Sequence, residues 1–178
     1  MILVRIFLMF FFFGCVNDPN LVVEFVIDEH QSVEEILDAE LLHTEEGRLR
    51  VKIIAEKIER FTNKEPSIIF SENLAIYFYD HFEKIQSTLY SQDAEIDKEK
   101  NIMLVYNDVE LISCDNKSLE TEELIWDQTN NKIYTDKNVK IITGEDTIYG
   151  EGFISNPDFT RYEILNIKGT FNFKDTIN

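Results

Sequence analysis

From Asn73 onward the chain is a succession of short β-type runs: "NLAIYFYD", "STLYSQDAEID", "NIMLVYNDVELIS", "SLETEELIWD", "NKIYTDKNVKIIT", "DTIYGEGFIS" and "FTRYEILNIKGTFNF". Each is rich in Ile, Tyr, Phe, Thr and Val. Asn, Asp and Lys clusters such as "DKEKN", "CDNKS" and "QTNN" separate them. No long helical period interrupts them after Gly47. "NDVELIS" (Asn107–Ser113) superposes on "KNVKIIT" (Lys137–Thr143) at an offset of 30 residues. "DAEID" at Asp93 and "ELIWD" at Glu123 share that offset, with weaker echoes at Asn73 and Asn166. No such unit buries its apolar face alone, so the units must stack. The expectation is an all-β domain: a sheet folded on itself, with an apolar inner channel and two open ends.

Earlier in the chain, Arg48–Ile53 alternates strictly, with Leu49, Val51 and Ile53 facing in and Arg48, Arg50 and Lys52 facing out. It follows "EEG" (Glu45–Gly47), which reads as a hairpin turn after a strand over Ile36–Thr44. The competing reading is a short helix: Ser32–Glu35 matches a capping box, and Val33, Ile36, Leu37 and Leu41 share a helical face. The alternating run beyond the turn favours the hairpin.

Parity along the strands selects twelve inner-wall positions, which read either as a closed, dry core or as the lining of a trough: Ile76, Phe78, Leu89, Ile96, Leu104, Leu111, Leu124, Trp126, Ile133, Val139, Ile141 and Phe153. In "LETEELIWD" a bulge at Glu122-Glu123 lets Leu124 and Trp126 continue the face of Leu119 and Thr121. Glu120, Glu122 and Asp127 then face water, as a solvated surface rather than an acid/base pair. Gly150 and Gly152 in "IYGEGF" mark a bulge or a close backbone approach.

Charge excludes one class of function. The 178 residues carry 34 acidic against 17 basic side chains, net -17, and such a surface repels nucleic acid. With 6 Gly and 3 Pro, many turns fall to Asn and Asp. Cys15 and Cys114 cannot form a disulfide framework, and His30, His43 and His81 have no zinc-ligand spacing. Neither a metal nor a cofactor is expected, and no enzyme.

The first residues read as an address. "MILVRIFLMFFFFGC" holds Arg5, an apolar run Ile6–Phe13 too short to span a bilayer, then Gly14-Cys15. A small residue before a cysteine in this place resembles a bacterial lipobox, with Phe12 where such boxes prefer Leu. The expected organisation is a signal peptide over 1–14, a lipid-bearing Cys15 with its tether over 15–37, and a β domain over 38–178. Two or three acyl chains on Cys15 would anchor the chain durably, which one alone does not.

"LETEELIWDQTNNKIYTDKNVKIIT" followed by "DTIYGEGF" resembles the LptC family of lipopolysaccharide-export proteins, in particular its lipoprotein-type members from Bacteroidetes-like bacteria. The blocks L-x-T-x-x-L-x-W-D, I-Y-T-D-K-x-V and Y-G-x-G-F carry the resemblance, which runs from about Asp38 to the C-terminus. It implies a single elongated twisted β-jellyroll, open at both edges, on the periplasmic side of the inner membrane. Such a protein accepts lipopolysaccharide from the LptB/LptF/LptG-type ABC transporter and passes it to an LptA-type bridge. The inner wall would carry acyl chains. The incoming edge would be the strand with Leu49, Val51 and Ile53, and the outgoing edge "GTFNF", where Phe171 and Phe173 share a face. Arg48, Arg50, Lys52 and Arg161 are the local cations in an acidic chain. The rival reading is a generic β-solenoid surface lipoprotein that binds other proteins.

Overall fold

The structure is a computed structural model that describes residues 34–62, 64–144 and 146–169. Ten strands follow one another: β1 (Glu34–Glu45), β2 (Arg48–Arg60), β3 (Ile68–Tyr79), β4 (Ile85–Ser91), β5 (Asp93–Asp97), β6 (Ile102–Ser113), β7 (Lys117–Asp127), β8 (Lys132–Thr143), β9 (Asp146–Ser155) and β10 (Tyr162–Lys168). All pairings are antiparallel within one sheet, in the order β1-β2-β3-β4-β6-β7-β8-β9-β10, with β5 between β3 and β6. β4 and β5 are one strand path broken at Gln92: β3 pairs Leu74 with Ser91 in β4 and Phe70 with Ala94 in β5.

The hairpin reading of the first segment holds, and the helix alternative does not. β1 pairs along its length with β2, from Glu34 opposite Arg60 to Glu45 opposite Arg48, and Glu46 and Gly47 turn with positive φ. Partner strand hydrogen bonds outweigh a weak local helix signal. Asn101, Asn116 and Asn131 take the left-handed position in later hairpins, as the scarcity of glycine requires.

Most strands are broken near their middle, and the breaks align. Asp38 lies opposite Glu56, which faces Glu72-Asn73; next come Gln92, Asn107-Asp108, Glu122-Glu123, Asp136-Lys137 and Gly152. Register slips there between Ala55 and Lys57, Tyr106 and Val109, Thr121 and Ile125, and Thr135 and Asn138. Asp38, Glu72, Asn73, Asn107, Asp108 and Gly152 all have positive φ. Unpaired residues bend a strand and sharpen its twist, so a row of them creases the sheet. Short polar bonds hold the crease: Asn73 Nδ2 donates to Glu56 Oε1 (2.8 Å), Asn107 Nδ2 to Asp93 Oδ2 (2.8 Å) and Thr121 Oγ1 to Asn138 O (2.9 Å).

The crease divides the sheet into two walls. The first holds residues 39–45, 48–55, 74–79, β4, 109–113, 117–121, 138–143, 146–151 and 166–168. The second holds 34–37, 57–60, 68–71, β5, 102–106, 123–127, 132–135, 153–155 and 162–164. Buried side chains of both walls form one hydrophobic cluster, so their inner faces meet. This is an all-β jellyroll-like fold.

Candidate functional site

Eight of the twelve inner-wall positions are essentially fully buried: Ile76, Leu89, Leu111, Leu124, Ile133, Val139, Ile141 and Phe153. Phe78 and Trp126 are buried to 4% and 8% exposure, and Ile96 is half-buried against the same cluster.

Leu104 is a correction. It stands on the outer face, opposite Glu95 and Ile125, while Met103 and Val105 point inward with no exposure. Residue parity across the crease differs between strands. Buried positions stand four apart in β3 (Phe70, Leu74), β6 (Val105, Val109) and β8 (Thr135, Val139), but three apart in β2 (Ala55, Ile58). β7 behaves like β2, so Leu119 and Leu124 are both inward, as the bulge at Glu122-Glu123 led one to expect. Extending such a parity switch to β6 misplaces Leu104.

The partner edge needs a second correction. β2, with Leu49, Val51 and Ile53, is not a terminal strand: Val51 pairs with His43 of β1 on one side and Phe78 of β3 on the other. The terminal strands among the described residues are β1 and β10. β1 presents Leu37 (63% exposed), Leu41 and Leu42 to its surroundings. Phe171, Phe173 and Cys15 lie outside the described residues.

A cleft of about 1350 Å³ opens between the β1–β3 side of the first wall and the β7–β10 side of the second. Leu41, Ile53, Phe78, Ile96, Trp126 and Tyr162 give it an apolar lining, and His43, Arg50, His81, Lys132, Asp158 and Arg161 a polar rim. It exceeds the usual size of a small-ligand pocket. Trp126 is among its lining residues, and the indole Nε1–H of that side chain is buried with no hydrogen-bond partner among the described residues. Buried indole donors ordinarily find an acceptor.

The four local cations differ in how far they are neutralised, and of them Arg50 and Arg161 line the cleft. Arg50 pairs with Glu45 (3.3 Å) and Lys52 with Glu40 (2.8 Å), which raises the Lys52 pKa chiefly through that hydrogen bond. Arg48 donates to the His81 carbonyl (2.9 Å). The Arg161 guanidinium has no ion-pair partner among the described residues. On the outer face, Glu120 bonds Lys140 (2.9 Å) and Asp127 accepts from Asn130, as a solvated acidic surface does.

No group of metal-holding side chains occurs among the described residues. Cys114 is exposed at a turn; desolvation first, then Asp115, pushes its pKa up, the opposite of an activated thiolate. No described helix is long and apolar enough to cross a membrane.

Residues 37–172 match the family model for lipopolysaccharide assembly, LptC-related. The chain belongs to the LptC-related family. The match spans the creased sheet from Leu37 of β1 onward, and with it the three sequence blocks that carry the resemblance. No curated protein matches the chain. LptC-related proteins are components of lipopolysaccharide transport, associated with the inner membrane and the periplasm. The groove sits in the part of the chain that defines the family. Sequence reasoning missed Phe70, Met103, Val105, Val109 and Phe159 of the core. The first four carried a usable period-two signal; Phe159 stands in a loop and carried none.

Proposed function

We propose that this LptC-related chain accepts lipopolysaccharide from an inner-membrane ABC transporter of the LptB/LptF/LptG type and passes it to an LptA-type bridge. Acyl chains travel between the two walls. The observation that carries this reading is the large cleft between the walls, whose mixed polar and apolar lining includes the paired rings of Phe78 and Trp126. A chain of roughly a dozen methylenes costs on the order of 10 kcal/mol to expose to water. Several such chains make a bare aqueous path prohibitive. A groove removes most of that cost, and ATP hydrolysis by the transporter gives direction. The chain itself then needs no catalytic group.

Within this reading the cleft near β1 is the entry and β10, with Phe171 and Phe173 after it, leads to the exit. Terminal strands add readily to another sheet, so strand addition at each end would make one continuous trough. The indole N–H of Trp126 would donate to an ester or hydroxyl oxygen at the head of an acyl chain. Lipid A phosphates would stay in solvent at the rim beside Arg161. A signal peptide over 1–14 would direct export and be cleaved before Cys15, and a lipid on Cys15 would then hold the domain at the periplasmic face of the inner membrane.

Retained lipid separates this reading from a protein-binding surface lipoprotein. The chain is extracted from its native membrane in mild detergent, purified and analysed by mass spectrometry. Lipid A-bearing molecules bound in stoichiometric amounts support transfer. Preparations free of lipid, from cells with an active exporter, favour the protein-binding reading.

A further inference from the structure

The cleft is open, but the groove behind it is filled, and one of the groups that fill it comes from a loop. Phe159, in the β9–β10 connection, has no exposed surface although it belongs to no strand. Its φ is +55°, a conformation that bulky side chains rarely adopt. The ring packs edge-on against Phe153 (5.6 Å) and Tyr162 (5.3 Å).

The loop is tied mainly to itself. Phe159 N donates to Asn156 O (3.0 Å), Asn156 Nδ2 to Thr160 Oγ1 (2.9 Å) and Arg161 N to Asn156 Oδ1 (2.9 Å). Asp158 Oδ1 accepts from Thr160 N and Oγ1 (3.0 and 2.7 Å). At its base on β9, Ser155 Oγ donates to Asn156 O and Arg161 O (2.8 and 3.1 Å). Two side chains of the first wall bond to it: Ser87 Oγ to the Pro157 carbonyl, and Lys117 Nζ to the Phe159 carbonyl (3.2 Å). Pro157, Asp158 and Arg161 also line the cleft, so the open space reaches the loop.

We propose that the Asn156–Arg161 loop is a strap closing the groove, with Phe159 as its plug and Ser87 and Lys117 as its latch, and that it swings outward when an acyl chain advances beyond Trp126. This rests on the lipid-carrying reading. Because the loop's remaining bonds are internal or run to Ser155 at its base, it moves as a unit about that base once the latch breaks. The departing ring leaves an apolar slot between Phe153, Tyr162 and the first wall, suited to a hydrocarbon chain. The left-handed backbone at Phe159 favours release, since the open loop can relax it.

The test uses the full-length chain, Cys114→Ser, with purified lipopolysaccharide as the probe. A benzophenone residue replaces Trp126 in the cleft, or a small diazirine-bearing aliphatic residue replaces Ile141 on the inner wall. In each, Ser87→Cys/Pro157→Cys forms a disulfide that locks the strap and is released by reductant. The expected result is labelling at Trp126 in both states, with labelling at Ile141 falling to background when locked and returning on reduction. In the opposite direction, Ser87→Ala/Lys117→Met raises the rate of labelling at Ile141 several-fold and leaves that at Trp126 unchanged. Equal labelling at Ile141 in the locked and reduced states, with normal labelling at Trp126, overturns the strap alone. Absence of labelling at Trp126 in every state overturns the lipid-carrying reading, and the strap with it.

Discussion

The ring of Phe78 in β3 meets the indole of Trp126 in β7 edge to face, 5.1 Å between centroids at 89°, joining the two walls across the groove. Such pairs add about 0.5–1.5 kcal/mol beyond the area they bury. Trp126 also carries a buried indole N–H with no partner among the described residues.

That pairing makes the chain's one tryptophan a reporter. Adding lipopolysaccharide to the purified chain should shift and saturate the Trp126 emission as the indole gains an acceptor and loses water. Trp126→Phe should keep the fold, because part of the lost contact is offset by removing a buried donor worth about 1–3 kcal/mol when unsatisfied. Phe78→Ala should cost about 3–5 kcal/mol in urea denaturation. An emission unchanged by saturating lipid would count against the cleft as the binding surface.

The crease makes a backbone prediction. Asp108 has φ +54°, and among the described residues its side chain makes no hydrogen bond. Asp108→Gly should therefore be neutral or slightly stabilising. Asp108→Val should cost about 1–2 kcal/mol, because a β-branched residue is disfavoured in the left-handed region. Equal stabilities of the two variants in denaturant would contradict a crease set by backbone conformation.

Gly150 tests how closely β10 lies on β9. A methyl there would strike the Ile164 side chain and lie 3.0 Å from the Asn166 carbonyl. Gly150→Ala should destabilise by about 1–3 kcal/mol, as overpacking does, and raise hydrogen exchange in Tyr162–Lys168 before the rest of the sheet. A uniform loss of protection across the sheet would mean that the β9–β10 pairing is not a separable unit.

How much of this was legible follows from where each signal lived. The strands from β3 to β9, the Glu46-Gly47 hairpin and the β7 bulge were readable because period two and Asn/Asp turns are local properties. The position of Leu104 was not, because its face depends on how many residues the crease absorbs in β6, and β2 and β7 absorb a different number. β1 was outweighed as an edge because Leu37, Leu41 and Leu42 are exposed, so its alternation is blurred. The burial of Phe159 depends on contacts with Phe153 and Tyr162 and a bond from Lys117, 42 positions away along the chain, and no local pattern encodes it.

Acid should loosen the hairpin turns. Asp80 is held below the ordinary value of 3.8 by hydrogen bonds from the Lys84 and Phe82 backbone, Asp97 by Lys100, and Asp127 by the side chain and backbone of Asn130. A carboxylate with a depressed folded pKa stabilises the fold above its unfolded value and loses that contribution as pH falls through the folded pKa. Melting temperature should thus decline as pH drops below about 4. Asp127→Asn should flatten the decline, while lowering stability at neutral pH. An identical slope in the variant would mean that the turn carboxylates contribute nothing to acid sensitivity.

The most direct measurement of the central claim is photocrosslinking in living cells with an active exporter. A photoreactive residue replaces Trp126 on the inner side or Glu120 on the outer face. The account predicts a lipopolysaccharide adduct at Trp126 that depends on ATP hydrolysis by the transporter, and none at Glu120. A folded, membrane-localised protein with no adduct at Trp126, or with equal adducts at both positions, would contradict it.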